Sequence, residues 1–255
     1  MKTISIINLK GGVAKTISAI NIAYALAVIH GKNVLLVDND KQGNTSKFFN
    51  VHSYDAPSLA DVLTVKDFTI AQAVQHTEYK GLDVLPANMY LLRANKEILL
   101  DVSRPQQTRL SKALRAVAGD YDYVVIDNAP DLNMSVINGL VACDDVLIPI
   151  KIDKFAFDGL EQLREQIEET REFNERIKIA GCFITMYQRN NVNLQGEQYL
   201  NSCMGLPLFK TVIHKTVKVD ETTFAGKPLQ AYSRNCTAAK DYAALVEEYL
   251  NGAKS

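Results

Sequence analysis

Two lysines, two glycines and a threonine fall within one heptapeptide, Lys10-Gly11-Gly12-Val13-Ala14-Lys15-Thr16. Glycine lets a backbone turn sharply and present its N–H groups to an anion. Lysine brings a point charge to a terminal phosphate, and a threonine hydroxyl can ligate magnesium. Three carboxylates stand just after apolar runs: Asp38 and Asp40 follow Val34-Leu35-Leu36-Val37, and Asp127 follows Tyr123-Val124-Val125-Ile126. A carboxylate held rigidly at a strand end is what magnesium needs beside it, commonly through water. A lone strand-end Asp is as compatible with capping the next helix, and the heptapeptide alone is compatible with a simple connecting turn. Together these residues are suited to phosphoryl transfer from a nucleoside triphosphate, which asks for positioning and charge more than for covalent chemistry.

Such groups work only if the chain aims them. Lys2 to Leu9 reads as a strand and Ser18 to Leu26 as a helix, so strand, tight loop and helix start point backbone N–H groups and a positive helix end at one place. Further strands are expected at 34–37, 82–85, 123–126, 146–150, 179–184 and 209–213. Between them lie segments of helical length; Leu160, Leu163, Ile167 and Phe173 mark one apolar face, with Glu161, Arg164, Glu165, Glu168 and Glu169 largely on others. Apolar runs without alternation suit strands buried on both sides. The expected fold is α/β, a mostly parallel twisted sheet flanked by helices on both faces. No repeat or linker divides residues 1–255, so a single domain is expected, with 50–80 as the candidate insertion. Ligands of such sheets sit at the carboxyl ends of the strands, where the loop and all three acids fall.

Composition narrows the alternatives. A chain of 255 residues with 47% hydrophobic content can bury a sizeable core, and a net charge of −1 gives no global pull toward nucleic acid or anionic lipid. Any such contact must be local. From Lys210 to Lys240 six basic residues (Lys210, Lys215, Lys218, Lys227, Arg234, Lys240) face two acids, Asp220 and Glu221, a surplus of four. That segment is a candidate for phosphate-backbone contact, against the alternative of an ordinary solvated face. Cys143, Cys182, Cys203 and Cys236 are far apart and form no metal or disulfide pattern, and His30, His52, His76 and His214 have no partner at ligand spacing. No cleavable signal is visible, and the apolar stretch from Ile17 to Ile29 is too short to span a membrane, so a cytoplasmic protein is expected.

The loop departs from the common pattern G-x-x-x-x-G-K-[ST], having Leu9 and Ala14 where glycines would stand. It follows K-G-G-x-x-K-[ST] instead, with the extra Lys10, and so resembles the deviant phosphate loop of the ParA/MinD group of ATPases. The similarity continues in order. Val34 to Asn44 resembles VLLIDxDPQGN with Lys41 in place of proline, and Tyr121 to Pro130 resembles YDYxxIDxPP. Cys143 to Ile150 resembles AADxVLIPV, Phe157-Asp158-Gly159-Leu160 resembles ALEGL, and Gly226-Lys227-Pro228 matches a late GKP. Nearly the whole chain is thus similar to ParA/Soj-type DNA-partition ATPases.

The resemblance implies specific roles. Lys10, Gly11, Gly12, Val13, Ala14, Lys15, Thr16 and Ile17 would hold ATP, Thr16 and Asp127 would hold Mg2+, and Asp40 would direct the attacking water. Lys10 would cross into the partner of an ATP-sandwich homodimer. Arg189, Lys215 and Lys218 would contact double-stranded DNA without sequence preference, in a nucleoid-associated protein whose slow hydrolysis a ParB-like partner stimulates. Asp38 is expected as a structural acid. The chain departs from the family at Ala14, strained if its position needs positive φ, at Asn128 and Ala129, and at His214 and Lys215 within the loop resembling IPRNVRLSEAP.

Other functions fit less well. A MinD-like membrane-associated positioning ATPase should end in a basic amphipathic helix, whereas Ala244 to Ser255 is short and acidic. An iron–sulfur carrier needs paired interface cysteines, and position 128 is Asn. A nucleotide-gated DNA-binding regulator could dispense with Asp40, and a separate helix-turn-helix has no room before Lys10.

Overall fold

A computed structural model describes residues 1–153, 159–203 and 205–252. The strands are β1 (Lys2–Ile6), β2 (Val34–Asn39), β3 (Gln75–His76), β4 (Leu82–Leu85), β5 (Tyr123–Asn128), β6 (Asp145–Lys151) and β7 (Lys178–Thr185). They form one sheet in the order β3-β4-β2-β5-β1-β6-β7, and every neighbouring pair is parallel except β3 with β4. The first six helices are α1 (Lys15–Tyr24), α2 (Asn44–Phe48), α3 (Leu59–Thr64), α4 (Tyr90–Leu100), α5 (Arg109–Arg115) and α6 (Met134–Ala142). The rest are α7 (Leu160–Thr170), α8 (Asn191–Cys203), α9 (Lys218–Ala225), α10 (Leu229–Tyr232) and α11 (Thr237–Leu250).

The sheet is buried on both sides, which explains why its strands read as unbroken apolar runs. In β2, Val34 and Leu36 pack with Ile20, Tyr242 and Leu245 of α1 and α11, whereas Leu35 and Val37 pack with Leu59, Leu91 and Leu110 of α3, α4 and α5. Side-chain alternation along the strand sends successive residues to opposite helical layers. A third cluster joins Ile148 and Ile150 of β6 to Leu160, Leu163 and Ile167 of α7. Each fully buried Leu or Ile contributes about 1.5–3 kcal/mol, so both layers tie the central strands firmly.

Several boundaries move from their expected places. β1 ends at Ile6 rather than Leu9, and α1 begins at Lys15 rather than Ser18 and continues as one wide turn over Ala25–Ile29. Phe173 lies beyond α7 and is exposed, so the apolar face of that helix stops at Ile167. Residues 50–80 supply α3 and the edge strand β3, and Leu59, Leu63 and Ile70 enter the core.

The strand expected at 209–213 does not form. Phe209 and Ile213 donate their N–H groups to Cys182 and Ile184 carbonyls of β7, but the intervening N–H groups of Lys210 and Thr211 go to the Glu248 carboxylate of α11, at 2.8 and 3.0 Å. A carboxylate has replaced the neighbouring strand as acceptor, so the ladder is interrupted. The Phe209 ring lies over Gly181, where an added Cβ would sit 2.4 Å from it. Within the segment expected to open α7, Phe157 and Asp158 lie outside the described residues.

Candidate functional site

The phosphate-type loop joins β1 to α1 and is fastened at both ends. Asn8 donates to the Pro149 carbonyl (2.9 Å) and accepts from the Lys10 N–H (2.9 Å). At the other end, the Thr185 hydroxyl donates to the Val13 carbonyl at 3.1 Å, and Val13 itself is buried. Gly11 and Gly12 are exposed between these anchors, and Gly12 has φ +71°. Ala14 caps α1 in the left-handed region, at φ 65° and ψ 30°, with no side-chain cap. The strain expected of alanine there is therefore present. The first-turn N–H groups of α1 have no intrahelical acceptor, as at any helix start, and so remain free to meet an anion.

The two lysines are held differently. Lys15 is buried, with Nζ donating to the Lys10 carbonyl at 2.8 Å across the mouth of the loop. Burial lowers its pKa, and the charges of Asp127, Asp40 and Asp131 work in the opposite direction. Lys10 is half-buried and its Nζ pairs with Asp153 of the same chain.

Sheet register gathers the carboxylates. Asp127 of β5 lies level with Ile6 of β1 on one side and with Asp38 of β2 on the other. Its Oδ2 accepts from the Thr45 hydroxyl at 2.8 Å, a Thr16 hydrogen bond also favours its ionised form, and its Oδ1 is buried with no partner. Burial nevertheless raises Asp127 to about 6, helped by Asp40 and opposed by Lys15. Asp38 is raised further, to about 8, by burial and then by the charge of Asp127. The hydrogen bonds it accepts from the Ser46 hydroxyl (2.6 Å) and N–H (2.8 Å) only partly offset this. Asp40, half-buried at the rim, accepts from the Gln42 N–H at 2.9 Å.

A buried, orphaned carboxylate oxygen beside a threonine hydroxyl is a donor set that a hard cation satisfies. Asp127 and Thr16 fit magnesium on that ground, although among the described residues no group of three or more His, Cys, Asp or Glu side chains is arranged to hold a metal ion by itself. Beside the loop is a hollow of about 370 Å³ lined by Thr16, Ile17, Asn44, Lys47, Phe48 and Thr223. Thr223 belongs to α9, which therefore closes one wall of this hollow. Sequence reasoning missed Thr45, Ser46 and Asp153. The first two follow Gly43-Asn44 directly, and a short helix starting there was the available signal; Asp153 had none.

The expected DNA-contacting residues are only partly brought together. A backbone bridge joins Tyr187 to His214, and the Lys215 N–H donates to the Tyr187 carbonyl at 3.0 Å. Arg189 and Lys215 thus sit one or two residues past the same bridge, at the carboxyl end of β7, and both are exposed. Lys218 opens α9 but is tied to Glu221 at 2.8 Å and lies 6.0 Å from the centre of the Tyr232 ring. Lys210 is set apart, beside Glu248 of α11.

The AAA domain family matches residues 1–179 of this chain. The sporulation initiation inhibitor protein Soj of Bacillus subtilis is 35% identical over 249 residues, covering 97% of each chain. The chromosome partitioning protein ParA of Caulobacter vibrioides is 36% identical over 256 residues, covering 98% of this chain and 94% of its own. Among solved structures, cobyrinic acid a,c-diamide synthase of Mycobacterium smegmatis with bound ATP analogue and magnesium superimposes with a TM-score of 0.85 at 28% identity. The match covers 100% of this chain and 96% of the other.

Proposed function

The chain belongs to the AAA domain family and, within it, to the Soj/ParA group of partition ATPases, and from that premise we propose that it is an ATP-driven DNA-partition protein. The observation that carries this reading is the loop itself, with buried Lys15, left-handed Ala14 and half-buried Lys10 set beside the orphaned Asp127 oxygen.

In this reading, N–H groups from Gly11 to Ile17 receive the phosphates of ATP and Lys15 neutralises their outer oxygens. Thr16 and Asp127 would hold Mg2+, which when bound spreads the phosphate charge. A cation would also stabilise the charged carboxylate at Asp127, which burial alone resists. Asp40 orients the attacking water. Lys10 leaves Asp153 and reaches the ATP of a second copy, so the third phosphate decides whether the two copies stay together. Among the described residues no strong base stands at the rim, which fits slow turnover that a ParB-like partner accelerates.

DNA contact follows from the exposed corner of Arg189 and Lys215, with Lys218 on the helix whose Thr223 lines the nucleotide hollow. The duplex is held by its phosphates and not by its sequence. Such a protein would act in the cytoplasm on the nucleoid. In α11, Ala238, Ala239, Tyr242, Leu245 and Val246 are buried in the core, so its apolar face is already covered and does not serve a membrane. Among the described residues no helix is long and apolar enough to cross one.

DNA retention at stated salt with ATP, with ADP and without nucleotide tests the proposal. Retention with ATP alone is expected; retention indifferent to nucleotide would count against partition.

A further inference from the structure

Beneath the loop lies a buried amide pair that the roles above leave unused. Asn39 and Asn128 are the last residues of β2 and β5, stand level in the sheet and are fully buried. Asn128 Nδ2 donates to the Ser5 hydroxyl of β1 at 2.8 Å and to the Ile6 carbonyl at 3.2 Å. Its Oδ1 accepts from Asn39 Nδ2 at 2.8 Å, and Asn39 Nδ2 also donates to the Ser135 carbonyl of α6 at 2.9 Å. One chain of hydrogen bonds therefore runs from β1, which leads into the loop, through β5 and β2 to α6.

Both amides adjoin a residue of the site. Asn128 follows Asp127, and Asn39 lies between Asp38 and Asp40. Alternation along the strands turns the amides to the face opposite the carboxylates. The amides thus lie against α6, where an added Cβ on Gly139 would meet Asn128 Oδ1 at 2.8 Å and Asn39 Nδ2 at 2.9 Å. Two polar side chains in such a position lose water on folding and must find partners, yet Asn39 Oδ1 has none. Apolar residues of similar size would have avoided that cost, so the pair is not explained by stability. Its remaining effect is geometric. It fixes where β2 ends relative to β5, and so where the Asp40 turn stands relative to Asp127.

We propose that the Asn39–Asn128 amide pair is a positioning link that holds the Asp40 turn and the Asp127 strand end in one register. The proposal rests on the ATPase reading for its catalytic consequence, but not for its structural one. Breaking the link loosens residues 40–44 and misplaces Asp40. The backbone pairing of β1 with β5 and β6 keeps the nucleotide loop in place even where the Asn128 bonds to β1 are lost. Misplacement on the scale of an ångström costs up to about a hundredfold in rate.

The test uses Asn39→Leu, Asn128→Ser and the double variant, with Gly139→Ala as a second route that crowds the pair while keeping both amides. Amide hydrogen exchange at 40–44 is followed in nucleotide-free protein, and kcat and KM are measured with ATP. Each single variant is expected to exchange faster at 40–44 and to lose roughly tenfold in kcat, with KM changed less than twofold. The double variant should be no worse than the poorer single, because both break one link. Losses that multiply, exchange that stays unchanged, or a change confined to KM would each overturn the proposal. Should Asn39→Leu fail to fold, Gly139→Ala must give the same exchange and kcat pattern, and its failure to do so overturns the link equally. Faster exchange in a protein that hydrolyses no ATP even as wild type would leave the link standing and remove the ATPase reading instead.

Discussion

Under the proposed function the amino-terminal loop and the basic corner beyond β7 would do different kinds of chemistry, and the chain builds them differently. The loop is clamped by Asn8 to Pro149 and by Thr185 to Val13, Lys15 is buried, and the neighbouring carboxylates are placed by sheet register. The corner has one backbone bridge, between Tyr187 and His214, and projects Arg189 and Lys215 into solvent. Phosphoryl transfer rewards tenths of an ångström, so its groups are over-determined. Contact with a phosphate backbone rewards charge within a Debye length, so its groups need only be nearby.

The sharpest challenge to this contrast is Lys10→Ala. Removing the cation proposed to cross between subunits should lower hydrolysis roughly a thousandfold or more, as for other cations supplied in trans, while leaving ATP binding by the monomer mostly intact. Unchanged turnover would remove its role. Next in size is Gly43→Ala, beside the site. Gly43 has φ +63°, and a Cβ would fall 2.6 Å from the Ala87 carbonyl oxygen. The variant should lose about 2–3 kcal/mol in urea unfolding, because both a left-handed backbone and a backbone clash oppose it. A tolerated Gly43→Ala would show the region to be less rigid than described.

The corner should answer to charge instead. Arg189→Glu or Lys215→Glu is expected to weaken DNA capture roughly tenfold and reduce the salt slope by about one, with ATP binding unaffected. Lys218→Glu should do less, because Glu221 already claims that ammonium. Equal effects at all three would deny the distinction.

Acidity provides a separate test. Asp38 and Asp127 are raised to about 8 and about 6 in the folded chain, above the ordinary 3.8. The native state therefore holds protons that the unfolded chain has released. Metal-free stability should fall as pH rises from about 4 through 8. Asp38→Asn should flatten the upper part of that decline, read as melting temperature against pH. The smallest effect expected is that of Ala14→Gly. Relief of left-handed strain is worth about 1–2 kcal/mol, and the added freedom of the unfolded chain returns about 0.5–1, leaving a net gain near 0.5 kcal/mol by thermal unfolding. A loss of stability would mean that Ala14 is not strained.

What could be read from sequence follows the same division. The loop, both strand-end acid segments and the layered α/β sheet were legible because fixed geometry leaves fixed spacing: Lys10 to Thr16, Asp38 to Asp40, and apolar runs without alternation. The strand at 209–213 misled because its apolar pattern is real, while its ladder depends on Glu248, distant in sequence. Asp153 as the partner of Lys10, the bond from Thr45 to Asp127, and the amide pair of Asn39 and Asn128 were hidden for the same reason. Each is a contact between segments far apart in the chain, with no local periodicity to announce it. The Ser46 bonds to Asp38, by contrast, span only eight residues and belong to the turn after β2. The surplus charge from Lys210 to Lys240 was countable, but not that Glu221 claims the Lys218 ammonium while Lys215 stays exposed.

Whether the third phosphate holds two copies together is read from solution molecular mass with a non-hydrolysable ATP analogue and with ADP, for the wild type and Lys10→Ala. A dimer is expected only for the wild type with the triphosphate, and monomers in the other three samples. A wild-type dimer with ADP, or a mass indifferent to the third phosphate, would show that Lys10 and the third phosphate do not join the copies.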